Sequence, residues 1–415
     1  MALRKRLPPQ KQLDFLDWEF GVFLHFGIRT FHPGHRDWDM APMPADRFQP
    51  EALDCRQWTR IIREAGARYA ILVCKHHDGF ANWPSAHTEY SVAATPWKNG
   101  KGDVVREFVE ACRADQLKVG LYYSPAEFAM KTEQRTDREY DDYFIAQIGE
   151  LLTNYGKIDY LWFDACGSEG HKYDEARIIA EIRRMQPDIL IFNLWDQDTR
   201  WVGNESGLSH MPCFNVVDAI DFSIQTGEQD RLSEARFLPV ECDFRMRLEN
   251  WFWAPDDVDT VKSVEELMGL YDYSVGRGAN FLVNIGPDPR GLLPDADAKS
   301  LLDFGEALRK RFSNKIAGFG QFQQAEGAWT CSFEQSELID HLVAMEDLTG
   351  GESIRRYQVE VSPFPYGKPI TVYEGHQVGH KAICHFPPVR AKAVTFRITE
   401  QDGNAVLRDL SLYKA

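Results

Sequence analysis

YAILVCK at 69–75, GDVVREFVEACRADQ at 102–116 and KVGLYYS at 118–124 read as strand, helix, strand. The two short runs are continuously apolar, as strands buried on both faces are, and such strands belong to parallel sheets. The segment between them is amphipathic and long enough for the crossover that two parallel strands require. The same grammar extends in both directions. Upstream lies FGVFLHF (20–26); downstream lie DYLWFDA (159–165), DILIFNLW (188–195), CFNVVDA (213–219), FLPVECD (237–243) and NFLVNIG (280–286). Helical stretches separate most of them: CRQWTRIIREAG, a longer one around 137–155, DEARIIAEIRRM, SVEELMGLYDYSV and PDADAKSLLDFGEALRKRF. Eight strand signals over roughly 20–312 fit the ~250 residues of an α/β (β/α)8 TIM-like barrel. A doubly wound open sheet is the alternative, but no Gly-rich phosphate loop follows the first strand.

Past about 316 the pattern changes. ELIDHLVAME, RRYQVEVSP, ITVYEG, KAICHFP, AVTFRITE and LRDLSLY are short and alternate apolar with polar, with TGG, FPYG and QDGN between them. That is the signature of a C-terminal antiparallel β-sandwich. The expected domains are a catalytic barrel over 1–315 and the sandwich over 316–415.

The chain has 415 residues, 44% hydrophobic and 27% charged, an ordinary globular composition. Asp and Glu number 63 against 47 Lys and Arg, a formal charge of −16. Such a field repels phosphate backbones and anionic lipid, so nucleic acid and membrane surfaces are not expected partners. No run approaches the roughly 18 apolar residues of a membrane span. MALRKRLPPQKQLDF lacks the apolar centre of a signal peptide, and the eight cysteines show no paired spacing. A reduced, cytoplasmic location is expected, or secretion if a leader has been trimmed. Eleven tryptophans suit stacking on sugar rings, and equally suit core packing.

In a barrel the chemistry sits at the C-terminal ends of the strands. The residues there are His25; Lys75-His76-His77-Asp78; Tyr122-Tyr123-Ser124; Asp164; Glu205 in RWVGNESG, after the fifth run; Glu241-Cys242-Asp243; and Asn284. A lone strand-end histidine is commonly structural. His76 and His77 are adjacent, and neighbouring strand residues point to opposite faces unless a loop turns both to the rim. A metal reading would combine His25, His76 or His77 with Asp78 or Asp164. Without an HExxH or a clustered second carboxylate, the expectation is no metal and no cofactor. Asp164 follows YLWF directly, as a helix N-cap or as a carboxylate at a buried mouth. With Glu205 and Glu241 it supplies the two carboxyls of glycoside hydrolysis.

FGVFLHFGIRTF, RDWD, AILVCKHHDGFANWPSAHTEYSV, PWKNGKGDVVREFVEACR, GKIDYLWFDACGSEG, TRWVGNESG, PVECDFRMRLENWFW and FLVNIGPDPRGLLPDAD together resemble the α-L-fucosidases of glycoside hydrolase family 29. The resemblance runs from about residue 14 to the end. RWVGNE and PVE-D-W look most like the subgroup that removes α-1,3/1,4-linked fucose. What it implies is a retaining exo-α-L-fucosidase acting on a fucosylated oligosaccharide or glycoconjugate. Asp164 matches the nucleophile. His25, His76 and His77 match histidines that bind fucose hydroxyls, Tyr122 a tyrosine near the nucleophile, and Trp251 an aromatic near the sugar. Asp37-Trp38 stands where the family usually has Glu-Trp. For the acid/base, strand-end geometry favours Glu241, because a strand holds a side chain more rigidly than a loop. The resemblance favours Glu205 in Gly-Asn-Glu. The expected pair is therefore Asp164 and Glu205, with Glu241 and Asp243 binding sugar hydroxyls or tuning the site. Two departures stand out: Ala126-Glu127 replaces a common Trp-Asp, and Ala165-Cys166 replaces Gly-Ala.

Overall fold

The computed structural model describes residues 7–34, 39, 41–128, 135–164, 166–168, 170–220, 229–363 and 368–415. In chain order the strands are β1 (Phe20–Leu24), β2 (Tyr69–Lys75), β3 (Lys118–Tyr123), β4 (Tyr160–Phe163), β5 (Leu190–Phe192) and β6 (Arg200–Trp201). A hairpin follows, β7 (Val216–Ile220) with β8 (Asp230–Phe237), and then β9 (Val240–Arg245) and β10 (Asn280–Ile285). Eight of them form one parallel sheet in the order β5-β4-β3-β2-β1-β10-β9-β6. A parallel bridge between Phe192 and Thr199 brings its two edges together, so the sheet is a nearly closed barrel.

Most crossovers are helical: α2 (Cys55–Ala65), α3 (Val104–Ala114), α4 (Asp137–Asn154), α5 (Glu175–Met185) and α6 (Val264–Tyr273), and α7 (Asp295–Arg311) follows the last barrel strand. Their starts are written in the sequence. Asp54 accepts the Arg56 and Gln57 amides, and Thr136 with Glu139 and Ser263 with Glu266 form reciprocal capping boxes, which satisfy the first amides of each helix. A further helix, α1 (Gln10–Trp18), precedes β1 and closes the N-terminal end of the barrel. Phe15 and Trp18 pack on Tyr69 and Tyr160, which begin β2 and β4. No helix among the described residues is long and apolar enough to cross a membrane.

Two expectations about strands are corrected. CFNVVDA is not the sixth barrel strand: β7 pairs antiparallel with β8, outside the barrel. The sixth position is filled by the two residues of β6, which pairs with β9 and follows β5 without a helix. The seventh barrel strand begins at Val240 rather than Phe237. Glu241 is therefore near its start, not at its end.

The C-terminal part is a seven-stranded antiparallel sheet. Its strands are β11 (Lys315–Ala317), β12 (Gln323–Ala325), β13 (Ala328–Glu346), β14 (Ile354–Ser362), β15 (Ile370–Gly375), β16 (Ala382–Gln401) and β17 (Leu407–Tyr413). The 19 residues of β13 and 20 of β16 run through the whole sheet and pair with register shifts. These bulges bend both strands. Trp329 and Cys331 from one half of β13 and Leu342 and Ala344 from the other share one core. Polar contacts join sheet and barrel: buried Glu352 accepts the Asn215 and Val216 amides, and Gln377 donates to the Cys213 carbonyl at 2.6 Å.

Candidate active site

Side chains alternate along a strand, so every second residue faces the barrel interior. Phe23, Tyr122, Tyr160, Trp162, Phe192 and Leu282 form that inner cluster. One step further in the same phase come His25 after Phe23, Asp164 after Trp162 and Asn284 after Leu282. This periodicity places them at the C-terminal mouth. The phase changes once in β2, where the pairing with β3 slips between Val73 and Lys75. The slip turns Lys75 outward onto the Tyr123 ring, 4.3 Å away, and turns His76 inward onto the Tyr122 ring, 5.5 Å away and nearly parallel to it at 11°. His77 follows in a turn closed by the Gly79 amide on the His76 carbonyl. Both histidines thus reach the mouth, with rings 4.3 Å apart.

The mouth opens into a pocket of about 280 Å³ lined by Phe23, His25, His76, His77, Tyr122, Trp162, Asp164, Cys166, Phe192, Trp201, Glu205, Asp243 and Trp251. Among the expected site residues it brings together Asp164, Glu205, His25, His76, His77, Tyr122 and Trp251. Glu241 is not brought to the pocket: it is 1% exposed and lies deeper in the barrel, where it accepts hydrogen bonds from Tyr69, Tyr160 and Trp162. Asp37 and Trp38 lie outside the described residues. Asp78, a candidate metal ligand by sequence, is paired with Arg29 at 3.0 Å.

Asp164 is held from three directions. Its Oδ2 accepts the Tyr122 hydroxyl at 2.9 Å and faces His77 Nε2 at 3.5 Å; its Oδ1 accepts the Cys166 amide at 3.0 Å. Burial by itself would raise its pKa. The His77 charge and hydrogen bond, with the Cys166 and Tyr122 donors, outweigh burial and lower it. The carboxylate is ionised at neutral pH, as a nucleophile must be.

Burial pushes the His25 pKa down to about 3, and that of His76 well below its usual value. Both are neutral. Asn284 donates its amide to the Trp251 carbonyl at 2.7 Å, so its oxygen is left to accept from His25 Nδ1 at 2.6 Å. His25 Nε2 is then an acceptor. Ser124 donates to the Ala126 carbonyl at 2.5 Å and accepts from His77 Nδ1 at 2.7 Å. The single letters at 124 and 284 gave no hint of these orienting roles.

On the far wall Asp243 accepts the Trp201 indole N–H at 2.6 Å, and burial pushes its pKa well above its ordinary value. It lines the pocket as a buried, hydrogen-bonding group. Glu205 occupies a turn after β6. Its neighbour Asn204 caps the Ser206 amide at 3.0 Å, and Ser206 bridges to Phe244 on β9. The Glu205 carboxylate is half exposed and lies 3.8 Å from Arg245. Beyond it runs a groove of about 700 Å³ whose lining includes Glu205, Arg245, Asn250, Trp251 and Trp253. The Ala126-Glu127 departure also finds its place. Glu127 reaches the fully buried Lys75 and accepts the Tyr143 hydroxyl, which ties the exits of β2 and β3 behind His77. Removing one partner of such a buried pair costs about 3–5 kcal/mol.

Donor atoms of His76, His77 and Asp164 lie within 4.8 Å of one another, a set that a cation could also use. The two readings separate by experiment. His76→Ala is expected to weaken fucoside binding and turnover by roughly 0.5–1.5 kcal/mol per lost hydroxyl contact, more where a partner is left buried and unpaired, and His77→Ala to weaken both by removing the group that faces the Asp164 carboxylate. Activity of the parent protein is expected to survive exhaustive chelation. Stoichiometric metal by elemental analysis, lost in either variant, would overturn the sugar reading.

With this geometry in hand, comparison with known proteins is specific. The family model for α-L-fucosidase matches residues 39–311. Alpha-L-fucosidase 1 of Arabidopsis thaliana is 29% identical over 98% of this chain and 87% of that protein. The crystal structure of SpGH29 superposes with a TM-score of 0.88 at 30% identity, covering all of both chains. A Ruminococcus gnavus GH29 fucosidase in complex with fucose has the same fold, with a TM-score of 0.83 at 22% identity over 100% of this chain and 96% of that one. The barrel mouth, its ionised aspartate and a family match covering more than half of the chain agree: the chain belongs to the α-L-fucosidase family and is a glycoside hydrolase.

Proposed function

We propose that the protein is a retaining exo-α-L-fucosidase that removes α-1,3/1,4-linked L-fucose from branched glycans, with Asp164 as nucleophile and Glu205 as acid/base. The observation that carries this reading is the juxtaposition in one pocket of an ionised, donor-held Asp164 and the rim carboxyl of Glu205. The pocket volume suits a single sugar ring, which fits removal of a terminal residue. The fucose complex of the Ruminococcus gnavus protein supports fucose as the occupant. The groove outside Glu205 gives the remainder of a glycan room to lie.

In the first step an Asp164 oxygen attacks the anomeric carbon. The glycosidic bond breaks and its oxygen takes the Glu205 proton, leaving a fucosyl ester on Asp164. In the second step the Glu205 carboxylate takes a proton from water. The water oxygen attacks the same carbon, the ester bond breaks, and two inversions give net retention. Neutral His25 and His76 hydrogen-bond hydroxyls, while Trp251 faces the apolar side of the ring. His77 and Tyr122 hold the nucleophile between the two steps.

Linkage is tested with a panel of α-1,2, α-1,3, α-1,4 and α-1,6 fucosides beside an aryl α-L-fucoside. Branched trisaccharides carrying α-1,3/1,4 fucose are expected to give the higher kcat/KM, because contacts to the branching sugar act in the transition state. A clear preference for α-1,2 substrates would reject that part of the reading while leaving the fucosidase chemistry intact.

A further inference from the structure

Glu241 was expected to bind sugar hydroxyls or to tune the site, and the barrel buries it one pleat below the pocket. Its two oxygens take three hydrogen bonds. Oε2 accepts the Tyr69 hydroxyl at 2.7 Å, and Oε1 accepts the Trp162 indole N–H at 2.9 Å and the Tyr160 hydroxyl at 3.2 Å. The donors come from β2 and β4, on the opposite side of the barrel from β9. Room for this network is built into the backbone. A Cβ at Gly21 would lie 2.3 Å from the Tyr69 ring, so a glycine there admits the phenol.

Above Glu241 four rings cross the barrel in a stack. Phe192 and Trp162 lie 4.1 Å apart at 11°, Trp162 and Tyr122 5.3 Å apart at 24°, and Tyr122 and His76 5.5 Å apart at 11°. Tyr122 ends this chain of contacts on Asp164, at 2.9 Å. Stacking sets the spacing of rings but leaves their in-plane slide and rotation soft. A hydrogen bond at the indole edge removes that freedom.

We propose that Glu241 is a positioning residue: by anchoring the indole edge of Trp162 it fixes the ring stack and, through Tyr122, the hydroxyl that holds Asp164. The inference rests on Asp164 being the reacting carboxylate, which is tested separately below. The buried Glu241 carboxyl has its pKa pushed up to about 7 by burial, against the pull of its three donors. Either protonation state leaves an oxygen to accept from Trp162.

Four substitutions test it: Glu241→Gln, Glu241→Leu, Trp162→Phe and Tyr122→Phe, each assayed on an aryl α-L-fucoside and by thermal denaturation. Glu241→Leu is expected to lower kcat about tenfold or more with KM changed less than about threefold, the split for a group acting only in the transition state. Glu241→Gln keeps an acceptor for the indole and is expected to recover most of the lost kcat. Trp162→Phe keeps a ring in the stack without the N–H, and is expected to lower kcat as Glu241→Leu does. The decisive comparison is a double-mutant cycle. If Glu241 works through Tyr122, Glu241→Leu added to Tyr122→Phe costs less than about twofold further. Independent, multiplying losses would overturn the proposal, as would an unchanged kcat in Trp162→Phe. Should Glu241→Leu fail to fold, the cycle of Trp162→Phe with Tyr122→Phe decides between the same two outcomes. Loss of activity in all of these with full activity in Asp164→Ala would instead refute the underlying reading.

Discussion

Asp164→Ala is expected to lower kcat on an aryl α-L-fucoside by several powers of ten while the protein stays folded. The size follows from the role. Asp164 is ionised and held by donors on both oxygens, and alanine can neither form the ester nor balance the positive charge that develops at the anomeric carbon. The fold should tolerate the change. Asp164 lies past the end of β4 rather than inside it, and the Tyr122–Trp162–Phe192 stack beneath it remains. Its partners His77 and Ser124 stay bonded to each other at 2.7 Å. A melting temperature close to that of the parent with turnover near zero is the expected pair of results. Near-normal turnover in a well-folded variant would remove Asp164 from the mechanism.

Glu205→Ala is expected to produce a loss whose size depends on the leaving group. A very acidic phenol departs without a proton, so the first step on such a fucoside should be little harmed. Natural glycosides, whose alkoxide needs the proton, should lose several powers of ten. The second step lacks its base, so the ester should accumulate on the activated substrate. Azide needs no base, and it is expected to restore turnover and give a fucosyl azide of retained configuration. The exposed position of Glu205 in a turn fits a residue that must meet both a departing sugar and an incoming water. A retaining pair brings its carboxyls to about 5–5.5 Å in the complex. Leaving-group dependence and azide rescue in Glu241→Ala rather than in Glu205→Ala would reverse the assignment.

Most of the barrel was legible because parallel strands buried on both faces leave uninterrupted apolar runs. β1 to β5 and β10 each fall within one of the runs read from the sequence. β6 was not legible. Two residues paired to β9 make too short a run to register, and the missing helix between β5 and β6 breaks the alternation on which the reading depends. CFNVVDA took its place because a hairpin strand packed on one face can also look apolar. The interior position of Glu241 has a visible cause in the sequence. FLPVECD contains Pro239, which cannot donate to a ladder and therefore marks a strand's start; beginning the strand after it moves Glu241 from the mouth to the interior.

The site was legible where a residue's phase along its strand fixes its direction. His25 and Asp164 are the plain cases, both lining the pocket. It was illegible where orientation depends on a distant partner. Nothing in one dimension joins His25 to Asn284, 259 positions away, or Glu241 to Tyr69, 172 positions away. The slip in β2 that turns His76 inward depends on pairing with β3, which a single strand's pattern does not carry.

The account centres on a covalent fucosyl ester at Asp164. A fucosyl fluoride bearing fluorine at C2 slows both steps by destabilising the cationic transition state, while its good leaving group keeps the first step fast enough for the ester to accumulate. Incubation followed by proteolysis and mass spectrometry should find a single fluorofucosyl adduct on the peptide that contains Asp164, in stoichiometric yield as activity is lost. An adduct on a different carboxylate, or inactivation-free turnover to a product of inverted anomeric configuration, would contradict it.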